Sequence, residues 1–155
     1  MASCFSDPRT VFQQAFNFLL PGGYLELQDG SFPFKYIGPE PTSSSIFRWN
    51  TLVVEGAAKT GRAWTNVPHY ANWMREIGFE DVVEKSFYWP ISPWAKGAYF
   101  KKLGELWQED LMNGLEAISL RVMGKLGWTA EEVRAFLPEV RRDIQDTRIH
   151  AYFPM

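Results

Sequence analysis

From Asp7 to Gln28 the sequence reads as helix, glycine turn, strand, and this order limits what the chain can fold into. Asp7 followed by Pro8 is a helix start. The carboxylate can accept from free amides of the first turn, and proline suits the first helical position, where an amide hydrogen is not needed. Val11, Phe12, Ala15, Phe16, Leu19 and Leu20 then recur at three- and four-residue spacing, as on the apolar face of a helix. Pro21-Gly22-Gly23 stops it. Tyr24-Leu25-Glu26-Leu27-Gln28 follows, with Leu25 and Leu27 on one face and the other residues opposite, which predicts a short strand. The arrangement is half of a βαβ unit without its leading strand. A helix with an apolar stripe needs something to cover, and only seven residues stand before this one.

Residues 30–45 read as a loop rich in Gly, Pro and Ser, interrupted by Phe32, Phe34 and Tyr36. A serine among Ser43, Ser44 and Ser45 caps a second predicted helix, which carries Phe47, Trp49, Leu52, Val53 and Ala57 and ends near Gly61. A short third helix begins around Pro68 and stops at Gly78. Residues 79–89 are predicted to be a strand bounded by Pro90 and Pro93. The longest helical pattern covers residues 93–126, with a break expected near Asn113-Gly114. Thr129-Ala130-Glu131-Glu132 matches a capping box, and the helix that it opens reaches about Asp146, with Pro138 expected to kink or divide it. The tail from Ile149 to Met155 looks like the approach to a strand that is not completed.

Several chemistries are disfavoured by what the chain holds. Its 16 Lys and Arg against 18 Asp and Glu leave a net charge of −2, which gives no electrostatic reason to bind a polyanion, so no nucleic-acid partner is expected. The apolar runs are too short for a membrane span. A lone cysteine, Cys4, implies a free thiol or an intermolecular bond, and a cytoplasmic or nuclear compartment. His69, His150 and Cys4 are scattered, so no metal site is expected. There is no Gly-x-Ser-x-Gly elbow and no phosphate-binding loop. Gly22-Gly23 lies between a helix and a strand, the reverse of the order that a dinucleotide site uses.

Leu20-Pro21-Gly22-Gly23-Tyr24-Leu25-Glu26-Leu27-Gln28-Asp29 resembles the turn and fifth strand of class I S-adenosylmethionine-dependent methyltransferases, in particular the LaeA-like proteins of fungal secondary metabolism. Three further stretches fit that subgroup in the same order: residues 73–82, beginning Trp73-Met74-Arg75-Glu76, then Trp89-Pro90-Ile91-Ser92-Pro93-Trp94, and Asp146-Thr147-Arg148-Ile149-His150-Ala151-Tyr152-Phe153-Pro154. The resemblance covers nearly the whole chain. It implies an α/β fold, an incomplete Rossmann-like methyltransferase domain over residues 1–155 with no second domain. Strands five, six and part of seven would be present, with helical insertions that cap the acceptor pocket. The family's motifs for S-adenosylmethionine have no counterpart here, so the expectation is that this chain alone neither binds that cofactor nor transfers methyl groups.

Gln28 and Asp29 stand at the carboxyl end of the predicted strand, where a polar residue of a covered sheet faces a partner or a site, and are expected to line a substrate pocket. Trp49, Trp94 and Tyr152 are further substrate-binding candidates, Trp94 because the family's segments in that place line the acceptor pocket. His150 is the candidate general base for an acceptor hydroxyl. The implied partner of the intact family is a small-molecule acceptor. A sheet with so few strands would also expose an edge, which predicts association with another copy or another protein. Two further functions stay open at this point: a non-enzymatic regulatory or interaction module, and a cyclase or isomerase of secondary metabolism that keeps an aromatic pocket.

Overall fold

The structure is a computed structural model that describes residues 5–155; Cys4 lies outside the described residues. The helical expectations rest on local signals, and the elements follow them closely. Helix α1, Pro8–Phe18, starts with the Asp7 carboxylate accepting from the Arg9 amide. Helix α2, Ser45–Lys59, is capped by the Ser44 hydroxyl, which accepts from the Phe47 amide. A 3-10 turn, Val67–His69, leads into α3, Tyr70–Ile77, and Gly78 closes it in the left-handed conformation at φ 116°. Helix α4 runs Ala98–Met123 and continues as a 3-10 turn, Gly124–Leu126. Helix α5, Ala130–Gln145, begins with the reciprocal Thr129–Glu132 box.

Two expected interruptions do not occur. Helix α4 passes Asn113-Gly114 without a break, because flanking turns pack into the core at Leu111 and Leu115 and hold the weak position in place. Helix α5 passes Pro138 undivided. Pro138 is exposed, so the carbonyl deprived of its amide partner lies on the side where water can reach it, while Leu137 and Val140 anchor the buried face.

The sheet departs further from expectation. Strand β1, Lys35–Tyr36, arises inside the segment read as loop; β2 is Tyr88–Pro90 and β3 is Ala151–Pro154. The order is β1-β3-β2, and both pairings are antiparallel. Tyr36 stands opposite Ala151, and Trp89 opposite Phe153. The tail therefore does form a strand, and it occupies the middle of the sheet. It is extended at one end by reciprocal bonds between Phe87 and Met155 and at the other by the Ile37 amide donating to the His150 carbonyl.

Residues 24–28 keep the predicted alternation, with Leu25 and Leu27 half-buried and Tyr24, Glu26 and Gln28 exposed, but they pair with no strand among the described residues. A strand needs a neighbour to complete its backbone bonds, and here the pleat exists without the ladder. Most of residues 79–89 likewise stays unpaired; Val83 and Phe87 are exposed, and only the end enters the sheet as β2. The fold is thus mixed α and β, and no parallel βαβ unit is completed among the described residues.

Helices α2, α4 and α5 pack against one another and against the sheet. Trp49, Val53, Leu115, Val122, Val133, Leu137, Val140 and Ile144 from the helices join Phe34, Ile91, Ala151 and Phe153 in one core. Gly56 lets α2 approach α4 closely, since a Cβ there would lie 2.3 Å from the Val122 carbonyl oxygen. A smaller cluster stands apart: Phe12 of α1 and Tyr70 and Met74 of α3, with Leu25 and Leu27 laid against them.

Candidate functional site

The sheet and the start of α4 enclose an apolar groove of about 460 Å³, lined by Ile37, Tyr88, Pro90, Trp94, Phe100 and Tyr152 together with Ala95 and Lys96. Its position follows from the strand order. Because β3 is central, Tyr152 lies beside both neighbours, and its ring meets Tyr88 of β2 edge to face at 5.3 Å between centroids. The chain leaves β2 through Ile91 and Ser92, both buried, and a tight bond from the Trp94 amide to the Ser92 carbonyl turns it back. Gly104 makes room for this turn, since a Cβ there would lie 2.3 Å from the Ser92 carbonyl oxygen. Trp94 is then fixed by its indole N–H, which donates to the Ala151 carbonyl at 2.7 Å. His150 stacks on its ring, with centroids 4.8 Å apart and planes 25° apart.

Trp94, Tyr152 and His150 therefore come together at one end of the sheet. The imidazole stands exposed at the edge of the groove, beside Trp94. Lys96 is the one ionised side chain in the lining. Two residues before His150, Arg148 binds Asp146 through several hydrogen bonds, and these hold the Asp146 carboxyl at about 2. The pair straps the turn that leads from α5 into β3 and leaves no net charge there.

Gln28, Asp29 and Trp49 are not at this groove. Gln28 is exposed and its amide donates to Glu26, since the segment that carries it has no covering layer on that side. Asp29 points to the smaller cluster, accepting from the Gly30 amide and from the Tyr70 hydroxyl at 3.3 Å. Trp49 is wholly buried in the core, and its indole N–H donates to the Ser119 hydroxyl, which in turn donates to the Leu115 carbonyl. With that hydrogen satisfied, Trp49 packs from α2 against Phe32 and Phe34 and does not line this groove.

Other residues of the site were not singled out in the sequence. Ile37, Tyr88 and Phe100 belong to the groove, and each is exposed despite being large and apolar. One signal was present: Phe32, Phe34 and Tyr36 recur at every second position, the period of a strand, within a segment whose glycines and prolines argue for loop. Among the described residues no group of His, Cys, Asp or Glu could hold a metal ion. Among the described residues no helix is long and apolar enough to cross a membrane.

Compared with known proteins, the chain is 33% identical over 152 residues to the probable methyltransferase tdiE of Emericella nidulans, a match that covers 96% of this chain and 47% of that protein. It is 30% identical over 155 residues to the methyltransferase pytC of Aspergillus terreus, covering 99% and 48%. To the secondary metabolism regulator LAE1 of Gibberella fujikuroi it is 29% identical over 146 residues, covering 92% and 46%. No family model matches the chain, and no solved structure does. The chain is thus similar over nearly its whole length to fungal methyltransferases and to LaeA-type regulators of secondary metabolism, matches their C-terminal half, and spans about half the length of these relatives.

Proposed function

We propose that this chain is the acceptor-binding half of a class I methyltransferase-type domain of fungal secondary metabolism, and that it transfers no methyl group by itself. In this reading the run at residues 24–28, then β2, then β3 stand in chain order for strands five, six and seven of the Rossmann-like fold. The single observation that carries it is the aromatic groove lined by Trp94 and Tyr152, with His150 stacked on Trp94, in a chain similar to fungal methyltransferases over nearly all of its length.

S-adenosylmethionine would supply the methyl group in the intact relatives. The described residues do not fit it. A nucleotide-type cofactor sits where a glycine turn carries the chain from a strand end into a helix, with a carboxylate for the ribose. Here the paired glycines, Gly22 and Gly23, follow helix α1, and the sheet is antiparallel throughout.

What the groove would do is hold a flat acceptor. Tyr88, Trp94, Phe100 and Tyr152 offer ring surfaces for stacking, and such pairs contribute roughly 0.5–1.5 kcal/mol each beyond area burial. The Lys96 ammonium favours an ionised oxygen on the acceptor, and the His150 imidazole can accept the proton that a hydroxyl gives up. Holding the acceptor in one orientation is the larger contribution to catalysis by such an enzyme. The test uses 2-naphthol as probe, followed by tryptophan fluorescence. Saturable binding that weakens about tenfold in Trp94→Ala, the scale of a lost stacking partner, is expected. Methyl transfer from S-adenosylmethionine to the probe by the chain alone should be at background. Binding that is indifferent to Trp94→Ala would remove the acceptor reading, and turnover by the chain alone would remove the claim that it is incomplete.

A second reading has an observation of its own. Phe18, Leu20 and Tyr24 are 87%, 81% and 93% exposed around the unpaired run at residues 24–28. Such a surface beside unsatisfied strand backbone suits association, with a second copy or with another protein, as for an interaction module.

A further inference from the structure

A second cavity, of about 410 Å³, opens between α4 and the sheet. Its aromatic lining is two stacked pairs. Phe32 lies on Phe34 with centroids 5.1 Å apart and planes at 26°, and Trp107 lies on Phe153 at 5.1 Å and 15°. The pairs are set crosswise, with 86° between Phe34 and Phe153. Leu111 and Ile118 of α4 complete the apolar wall, while Asp110 and Asn113, one turn apart, supply the polar side. Asp110 is the one ionised group in the lining. It is exposed, and among the described residues it has no ion-pair or hydrogen-bond partner. This is the opposite sign from the groove at Trp94, where the one ionised group is Lys96.

We propose that this cavity binds a small alkylated organic cation, of the methylated ammonium type. The faces of aromatic rings carry negative potential, so a cation against them is attracted without having to give up a strongly held water shell when its charge is covered by alkyl groups. The exposed Asp110 carboxylate at the rim adds direct attraction of the matching sign. A neutral ligand of the same shape gains only the burial, and an anion is repelled. A cavity near the small end of the range for ligand sites suits a compact occupant. The inference does not depend on the acceptor reading, since it concerns a different cavity and the opposite charge.

The experiment titrates the chain with choline and with 3,3-dimethylbutan-1-ol, which has the same shape and no charge. The readouts are calorimetry and the indole N–H resonance of Trp107. Choline is expected to bind about tenfold more tightly than the alcohol and to move the Trp107 signal. Asp110→Asn should weaken choline about five- to tenfold and leave the alcohol unchanged. Asp110 is exposed and unpaired, so the variant keeps its fold, which an unchanged melting temperature verifies. Equal affinity for the two probes would mean an apolar hollow without charge selection and overturns the proposal. So does choline binding that Asp110→Asn leaves intact, binding without a Trp107 shift, or the absence of saturable choline binding.

Discussion

Tyr36 carries its hydroxyl into the protein next to Asn50, whose amide holds the Phe34 backbone. Its oxygen accepts from the Phe34 amide and its nitrogen donates to the Phe34 carbonyl. The phenol is left buried without a hydrogen bond. Burial above all pushes its pKa up to about 12, the negative charges of Glu40 and Asp143 add to the rise, and Asn50 works against it. The folded pKa thus exceeds the ordinary value of 10.0, so this group favours the folded state below pH 10 and ceases to do so as pH rises towards 12. The melting temperature of the wild-type chain should fall across that window. Tyr36→Phe should flatten the fall at little expense at neutral pH, since no bond is lost; an unchanged alkaline slope in the variant would contradict the assignment. Residue-scale properties of this kind were poorly legible in the sequence. Trp49 and Trp94 are both tryptophans beside helix or turn signals, yet one spends its N–H on Ser119 inside the core and the other on a backbone carbonyl at the groove. Which of these happens depends on residues 70 and 57 positions away, and no local pattern encodes it.

At the scale of the elements, the contrast is between ends that are fixed by neighbours in sequence and edges that are fixed by distant chain. The caps of α1, α2 and α5 each need a side chain within three residues, and all were legible. Glu132 illustrates how local the device is. The Thr129 amide and then its hydroxyl donate to the carboxylate and hold its pKa below the ordinary range, so the box contributes at neutral pH and fades as acid protonates it. Residues 24–28 and β1 show the other case. The first has a strand's alternation and no ladder; the second is a ladder of only two residues inside a loop signal. Pairing with β3 decides the difference, from more than a hundred residues away. Element packing also sets a sharp expectation at Gly56. Alanine there would place its methyl group against the Val122 backbone, which cannot swing aside as a side chain can. Gly56→Ala should destabilise by about 1–3 kcal/mol in denaturant titration despite its better helix propensity, as overpacked cores do. A stabilised variant would show that α2 and α4 have room to part.

For the whole molecule, the separation into two apolar clusters matters most. The large one joins three helices and the sheet, and the small one joins α1, α3 and residues 25–27. The outer side of the small cluster carries the exposed Phe18, Leu20 and Tyr24, while Phe16 is partly exposed at its edge against Phe79. Sedimentation velocity is expected to show concentration-dependent association, reduced in a Phe18→Ser, Leu20→Ser double variant whose far-ultraviolet circular dichroism is unchanged. A strict monomer at all concentrations would remove association from the proposed function. The antiparallel sheet was not legible in the sequence. A strand shows its own alternation, but its neighbours and their direction are set by the connections between elements.

The central place of β3 has one more consequence, for synthesis. A ribosome extends the chain from its amino end, so α1, both outer strands and all the helices have been made before residues 151–154 emerge. Until then β1 and β2 have no common partner, and Trp94 lacks the carbonyl that fixes its indole. The helices can gather early, but the sheet, and with it the groove, can close only once residues 151–154 have emerged. During that interval the nascent chain holds two short unpaired strands and an aromatic surface open to chaperones.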